Sequence, residues 1–206
     1  MKILYEDNHI IVVVKEKNLL TQSDITKDKD LLTNVKEYIK TKYNKPGNVY
    51  VGLIHRLDRM VGGVLVFAKT SKAAARLNKQ IQDKKFIKNY VCLVHNKTKE
   101  FDRIENYLKK DDTLNKSFID RTGKLSVLEY KLIKYIEDKS LLDINLITGR
   151  HHQIRVQLSN LNHPIVGDVK YGKNDNCDIK LYAYKLGFFH PTTNEYMEFI
   201  DYPEWM

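Results

Sequence analysis

Cysteine is scarce: Cys92 and Cys177 are the only two in 206 residues. Two cysteines cannot build a disulfide framework, and these two lack metal-site spacing. Proline is also uncommon, at four. No apolar run approaches the ~18 residues a membrane-spanning helix needs. The opening Met1-Lys2-Ile3-Leu4-Tyr5-Glu6-Asp7 lacks the apolar stretch of a secretory signal. What is present argues for a folded chain, because 42% hydrophobic and 10% aromatic content is too high for disorder. The length fits one domain with a real core. These features predict a cytoplasmic enzyme or binding protein that is monomeric or loosely associated.

Arginine is the next scarcity. Of 35 basic residues, seven are arginine and the rest lysine. Four of the seven fall in two short stretches, Arg56 with Arg59 and Arg150 with Arg155. A chain that uses lysine by default and clusters its arginines calls for a planar, fixed fork of donors at those places. The formal net charge of +9 is also uneven. Residues 69–99 carry nine basic side chains against Asp83 alone, while the last twenty residues hold four acids and neither lysine nor arginine. Such a segment suggests a footprint for a polyanion, with a solvated lysine-rich face as the plainer alternative.

Apolar, β-branched residues at 3–5 and 10–14 predict two strands joined by a turn. Residues 15–30 read as a polar loop. Apolar positions at 31, 32, 35, 38 and 39 predict a helix over 31–43. Residues 49–54 and 64–68 read as strands flanking a special loop at 55–63. Ser71 is the expected cap of a helix reaching about Asp83, with Lys72, Arg76 and Lys79 as a basic stripe. Strands are expected at 90–94, 125–136, 141–147, 181–189 and 196–200, and a helix at 151–161. Residues 98–123 give only weak signals. The pattern has no βαβ repeat, so the expected class is α+β with a mixed, mostly antiparallel sheet.

Two constellations carry chemistry. In His55-Arg56-Leu57-Asp58-Arg59-Met60-Val61-Gly62-Gly63, an acid between two arginines ends a strand and precedes two glycines. The glycines permit a positive φ and the close approach of a ligand. The alternative is a surface turn with an incidental Arg–Asp pair. The second is Thr148-Gly149-Arg150-His151-His152-Gln153-Ile154-Arg155, followed by Pro164 to Gly172. Arg150 and His151 are expected at a helix start, where unpaired backbone N–H groups favour phosphate. His151-His152 lacks the i, i+4 spacing of a zinc helix, so no metal is expected. Asp168 reads as a structural turn residue.

These stretches resemble the RluA-type pseudouridine synthases, and the likeness runs through nearly the whole chain. The family's His-Arg-Leu-Asp motif stands at 55–58, and Gly-Arg-x-His-Gln-Ile/Leu-Arg at 149–155. Pro-Ile-x-Gly-Asp-x-x-Tyr-Gly stands at 164–172, and Leu4-Tyr5-Glu6-Asp7 and His190-Pro191 also match. The resemblance implies a pseudouridine synthase fold with an RNA-binding cleft, acting on uridine in ribosomal or transfer RNA without a cofactor. It gives Asp58 the catalytic role, pairs Arg155 with it, and makes Tyr90 of Lys88-Asn89-Tyr90 the active-site tyrosine. It assigns Arg56 to displacing the target base. The expected RNA contacts are Arg56, Arg59, Lys72, Arg76, Lys79, Arg150 and His151.

The chain departs from the family in three places. Met60-Val61-Gly62-Gly63 stands where the family often has x-Thr-Ser-Gly, Val14-Lys15-Glu16-Lys17 lacks the usual proline, and Leu181-Tyr182-Ala183 replaces Leu-His-Ala. A single catalytic domain over residues 1–206, with no separate N-terminal RNA-binding domain, is expected. The competing classes are a non-catalytic RNA-binding protein of the same fold and a metal-dependent nuclease. The nuclease would need clustered carboxylates for two ions.

Overall fold

The computed structural model describes residues 1–24 and 28–206; the loop expected at 15–30 runs partly outside the described residues. In chain order the strands are β1 (Lys2–Glu6), β2 (Ile10–Lys15), β3 (Gly52–Leu53), β4 (Gly62–Ala68), β5 (Ile87–His95) and β6 (Phe101–Asp111). They continue as β7 (Lys116–Ile119), β8 (Lys124–Ile136), β9 (Lys139–Leu146), β10 (Leu181–Phe189) and β11 (Tyr196–Ile200). The helices are α1 (Leu31–Lys42), α2 (Ser71–Gln82) and α3 (Gln153–Asn160). The fold is α+β with a mixed, mostly antiparallel sheet; a separate parallel bridge, Leu20–Asp30, lies outside the named strands. No helix among the described residues is long and apolar enough to cross a membrane.

The chain divides into two compact units, Met1–Phe86 with Ala183–Pro203, and Ile87–Tyr182 with Glu204–Met206. In the first unit β2 pairs with β1 and β4, β3 pairs with β4, and β11 pairs with β10, all antiparallel. Every residue of β2 and β4 is buried, so these strands read as unbroken apolar runs rather than alternating ones. Val12, Val64, Val66, Leu77, Phe86 and Phe188 share one cluster, and each such buried side chain contributes about 1.5–3 kcal/mol. Helix α2 adds Ala73, Ala74 and Leu77 to it and leaves Lys72, Arg76 and Lys79 exposed. Its cap is Thr70, one residue before the one expected, with Oγ1 accepting from the Ala73 amide at 3.1 Å.

A polar knot ties β1 and α1 to the residue after β4. Glu6 accepts from Tyr38 (3.0 Å), Lys42 (2.7 Å), Tyr43 (2.8 Å) and Lys69 (2.7 Å). Burial alone would push this carboxyl up, but the four donors hold it down to about 2 from an ordinary 4.5. A depressed carboxyl stabilises the fold above its unfolded pKa, and the contribution is lost as pH falls through the folded value. Glu6→Gln is therefore expected to lose about 3 kcal/mol of stability at pH 7 and little near pH 2. Urea unfolding at both pH values tests this, and an equal loss at each would refute the assignment.

In the second unit the strand order is β5-β9-β8-β6-β7, every pairing antiparallel. The β6–β7 hairpin lies within residues 98–123, where the sequence signals are weak. Its inner positions Ile104, Leu108 and Ser117 are buried, while Phe101, Tyr107 and Phe118 are exposed. Apolar side chains on both faces erase the alternation that marks a strand. Helix α3 lies against this hairpin, where Gln157 donates to Asn106 Oδ1 (3.0 Å) and to the Ser126 carbonyl (3.1 Å).

Candidate active site

In the first unit, Asp58 sits on a tight turn closed by the Val61 amide donating to the Asp58 carbonyl at 3.0 Å. Neighbouring groups fasten the turn. The Thr21 hydroxyl donates to the Leu57 carbonyl (2.9 Å) and accepts from the Leu57 amide (3.2 Å). Lys15, fully buried at the end of β2, donates to the carbonyls of Glu16 (2.9 Å), Leu19 (2.6 Å) and Arg59 (3.1 Å). Burial pushes the Lys15 ammonium down to about 8, with the Asp58 carboxylate pulling the other way. Arg59 pairs with Asp28 at 2.8 Å. Arg56 is exposed, and the His55 ring packs edge-on against Phe86. The turn thus presents a half-buried carboxylate beside two exposed arginines.

Gly63 takes the positive φ expected of the glycine pair, +138°, and a Cβ there would run into the Ala183 carbonyl oxygen, so the strand backbones approach closely at this point.

The basic segment is less free than its charge implies. Lys69 is buried against Glu6, Arg76 donates to the Pro191 carbonyl (2.7 Å), and Lys79 pairs with Asp83 (2.9 Å). Lys88 is half-buried, and desolvation lowers its pKa; it lies beside Gly149. The exposed remainder includes Lys72, Lys84, Lys85, Lys97 and Lys99.

In the second unit, Tyr90 is 7% exposed on β5 opposite Ile144. Burial raises its phenol well above the usual range, so it stays protonated. Helix α3 begins at Gln153 rather than His151, because His152 takes a left-handed φ of 53°. Gln153 Oε1 accepts from the Thr148 hydroxyl (2.8 Å) and the Arg150 amide (3.0 Å). That amide, expected to be open to phosphate, is therefore occupied. Arg150 is exposed and donates through Nε to the Leu125 carbonyl at 3.2 Å. His151 Nδ1 is 2.9 Å from Ser117 Oγ, and its ring lies 3.7 Å from that of His152.

Arg155 is 6% exposed and held by Asp168, itself 1% exposed. Its Nε donates to Oδ2 (2.8 Å) and Nη2 to Oδ1 (2.7 Å), a bidentate fork. The same carboxylate accepts from the Lys170 (3.0 Å) and Tyr171 (3.2 Å) amides. Asp168 is thus a turn residue, as expected, and also the clamp that fixes the guanidinium plane.

The structure brings Arg56, Asp58 and Arg59 together on one turn, and Arg150, His151 and Arg155 along one motif. Sequence reasoning missed Lys15, Thr21, the Asp168 clamp and Tyr171. Lys15 did leave a signal, a charge directly after five apolar strand residues.

Residues 9–160 match the family model for RNA pseudouridylate synthase. The chain is 36% identical over 203 residues to ribosomal large subunit pseudouridine synthase C of Buchnera aphidicola subsp. Baizongia pistaciae, covering 92% of this chain and 62% of that one. It is 34% identical to an uncharacterized RNA pseudouridine synthase of Aquifex aeolicus, covering 99% and 70%. The chain thus spans about three fifths to seven tenths of the length of these relatives. Among solved structures, human RNA pseudouridylate synthase domain containing 4 superposes with a TM-score of 0.82 at 20% identity, over 99% of this chain and 89% of that one. That likeness bears on the fold alone. On the family match and the relatives' identity, this chain belongs to the RNA pseudouridylate synthase family.

Proposed function

We propose that the protein isomerises uridine to pseudouridine in ribosomal RNA, without a cofactor, as a cytoplasmic monomer. The observation that carries this reading is the family match over residues 9–160, which contains both arginine-bearing motifs and runs through both compact units. On this reading residues 1–206 are a single catalytic domain. The relatives named for the large ribosomal subunit favour ribosomal over transfer RNA as substrate.

The chemistry needs few groups. The N1–C1′ bond breaks, the uracil turns, and C5 bonds to C1′; C5 then loses a proton and N1 gains one. The Asp58 carboxylate acts either at C1′ as a nucleophile or at C2′ as a base. Arg155 supplies a fixed positive charge, and the protonated Tyr90 offers a flat apolar face to the base. Arg56 and Arg59 border the Asp58 turn and contact phosphate or the displaced stack. Extruding the uridine costs a few kcal/mol, least in a loop. Arg150, His151, Lys72, Arg76 and Lys79 are read as RNA contacts.

The test is incubation with an unmodified large-subunit ribosomal RNA transcript, in chelator, followed by pseudouridine mapping. New pseudouridine at a defined site supports the reading. RNA binding without product would favour the non-catalytic alternative. In the same assay, reversing the charges of Lys72, Arg76 and Lys79 is expected to weaken RNA binding at least tenfold and flatten its salt dependence. Binding that keeps the wild-type salt slope would remove those three residues from the RNA track.

A further inference from the structure

We propose that Tyr171 is a positioning residue for Arg155, holding the guanidinium by its face while Asp168 holds it by its edge. The proposal rests on the part in the reaction assigned to Arg155 above. The Arg155 Cζ lies over the Tyr171 ring, 5.1 Å from its centroid. That is cation–π geometry, favourable because the ring face is negative, and stronger where water is excluded. Arg155 is 6% exposed, so the contact is nearly dry. The Asp168 fork sets the plane of the guanidinium, and the ring lies against its face, where it opposes tipping out of that plane.

Tyr171 is itself anchored at both ends. Its amide donates to Asp168 Oδ1 at 3.2 Å. Its hydroxyl accepts from the Ser117 amide of β7 at 2.7 Å and lies 2.8 Å from His152 Nδ1. Lys170 Nζ donates to the Asn115 carbonyl at 3.0 Å, a second tie to the β6–β7 turn. The ring under Arg155 is therefore braced by the hairpin and by the histidine pair.

The experiment uses the full chain and the ribosomal transcript, with Tyr171 replaced by Phe, Leu, and phenylalanines bearing one to three ring fluorines. Fluorine withdraws the ring's negative face with little change of shape. We expect Tyr171→Phe to stay within about threefold of wild-type kcat, and Tyr171→Leu to fall about tenfold. The fluorinated series should decline stepwise between them, with KM and RNA binding unchanged. A flat fluorine series overturns the proposal, as does Tyr171→Phe being as impaired as Tyr171→Leu. Should Tyr171→Leu not fold, the isosteric series still decides. A wild-type protein that makes no pseudouridine overturns the proposed function, and this proposal with it; an active wild type with a flat series overturns this proposal alone.

Discussion

Asp58→Asn protein is expected to bind the ribosomal transcript within about threefold of wild type and to form pseudouridine at least about a thousandfold more slowly. An amide is nearly isosteric with a carboxylate but carries no charge. It can neither attack C1′, nor remove a proton, nor balance positive charge developing on the ribose. The turn itself should survive. Its ties through the Asp58 and Leu57 carbonyls, the Leu57 amide and the Arg59 carbonyl are to backbone groups that the substitution leaves in place. Single-turnover rates and filter binding on the same preparation separate the two effects. Conversion at a tenth of the wild-type rate would move the chemistry to another residue.

Asp168→Asn carries the second large effect, on stability as well as rate. The Arg155–Asp168 pair is almost wholly out of water. Removing one partner of such a pair typically costs 3–5 kcal/mol, because the other charge loses its compensation. The new amide NH2 would also face the Nε or Nη2 donor that the carboxylate accepts from. The amide carbonyl can still take the Lys170 and Tyr171 N–H groups, so the turn keeps part of its support. The loss should shrink when Arg155→Met is combined with Asp168→Asn, since no buried charge then lacks a partner. A double-mutant cycle in urea reads this coupling, expected at about 2 kcal/mol. Strict additivity would show that the pair does not act as a unit. The double variant should remain without activity however well it folds.

Much of this arrangement was legible in the residues. Strands β2 and β4 announce themselves because both faces are buried and the side chains are β-branched. Clustering of a rare residue pointed to Arg56, Arg59, Arg150 and Arg155. What escaped was set by tertiary partners that leave no local period. The β6–β7 hairpin mixes Phe101, Tyr107 and Phe118 outside with Ile104 and Leu108 inside, so neither face reads as apolar. Helix α3 starts two residues late because His152 adopts a left-handed backbone that its identity does not demand. Thr70 and Ser71 offer equivalent hydroxyls, and only the backbone decides which one caps. The Asp168 clamp joins residues 13 apart in the chain, and no spacing rule encodes it.

The lysine that fastens the Asp58 turn has a consequence for enzymology. An ammonium has three protons to give, one for each of the carbonyls of Glu16, Leu19 and Arg59; an amine has two. Since burial brings the Lys15 ammonium down to about 8, mild alkali is expected to slacken the support of the Asp58 turn. The basic limb of a pH–rate profile would then measure how firmly the loop is held, and assigning it to a general acid in the chemical step would be a misreading.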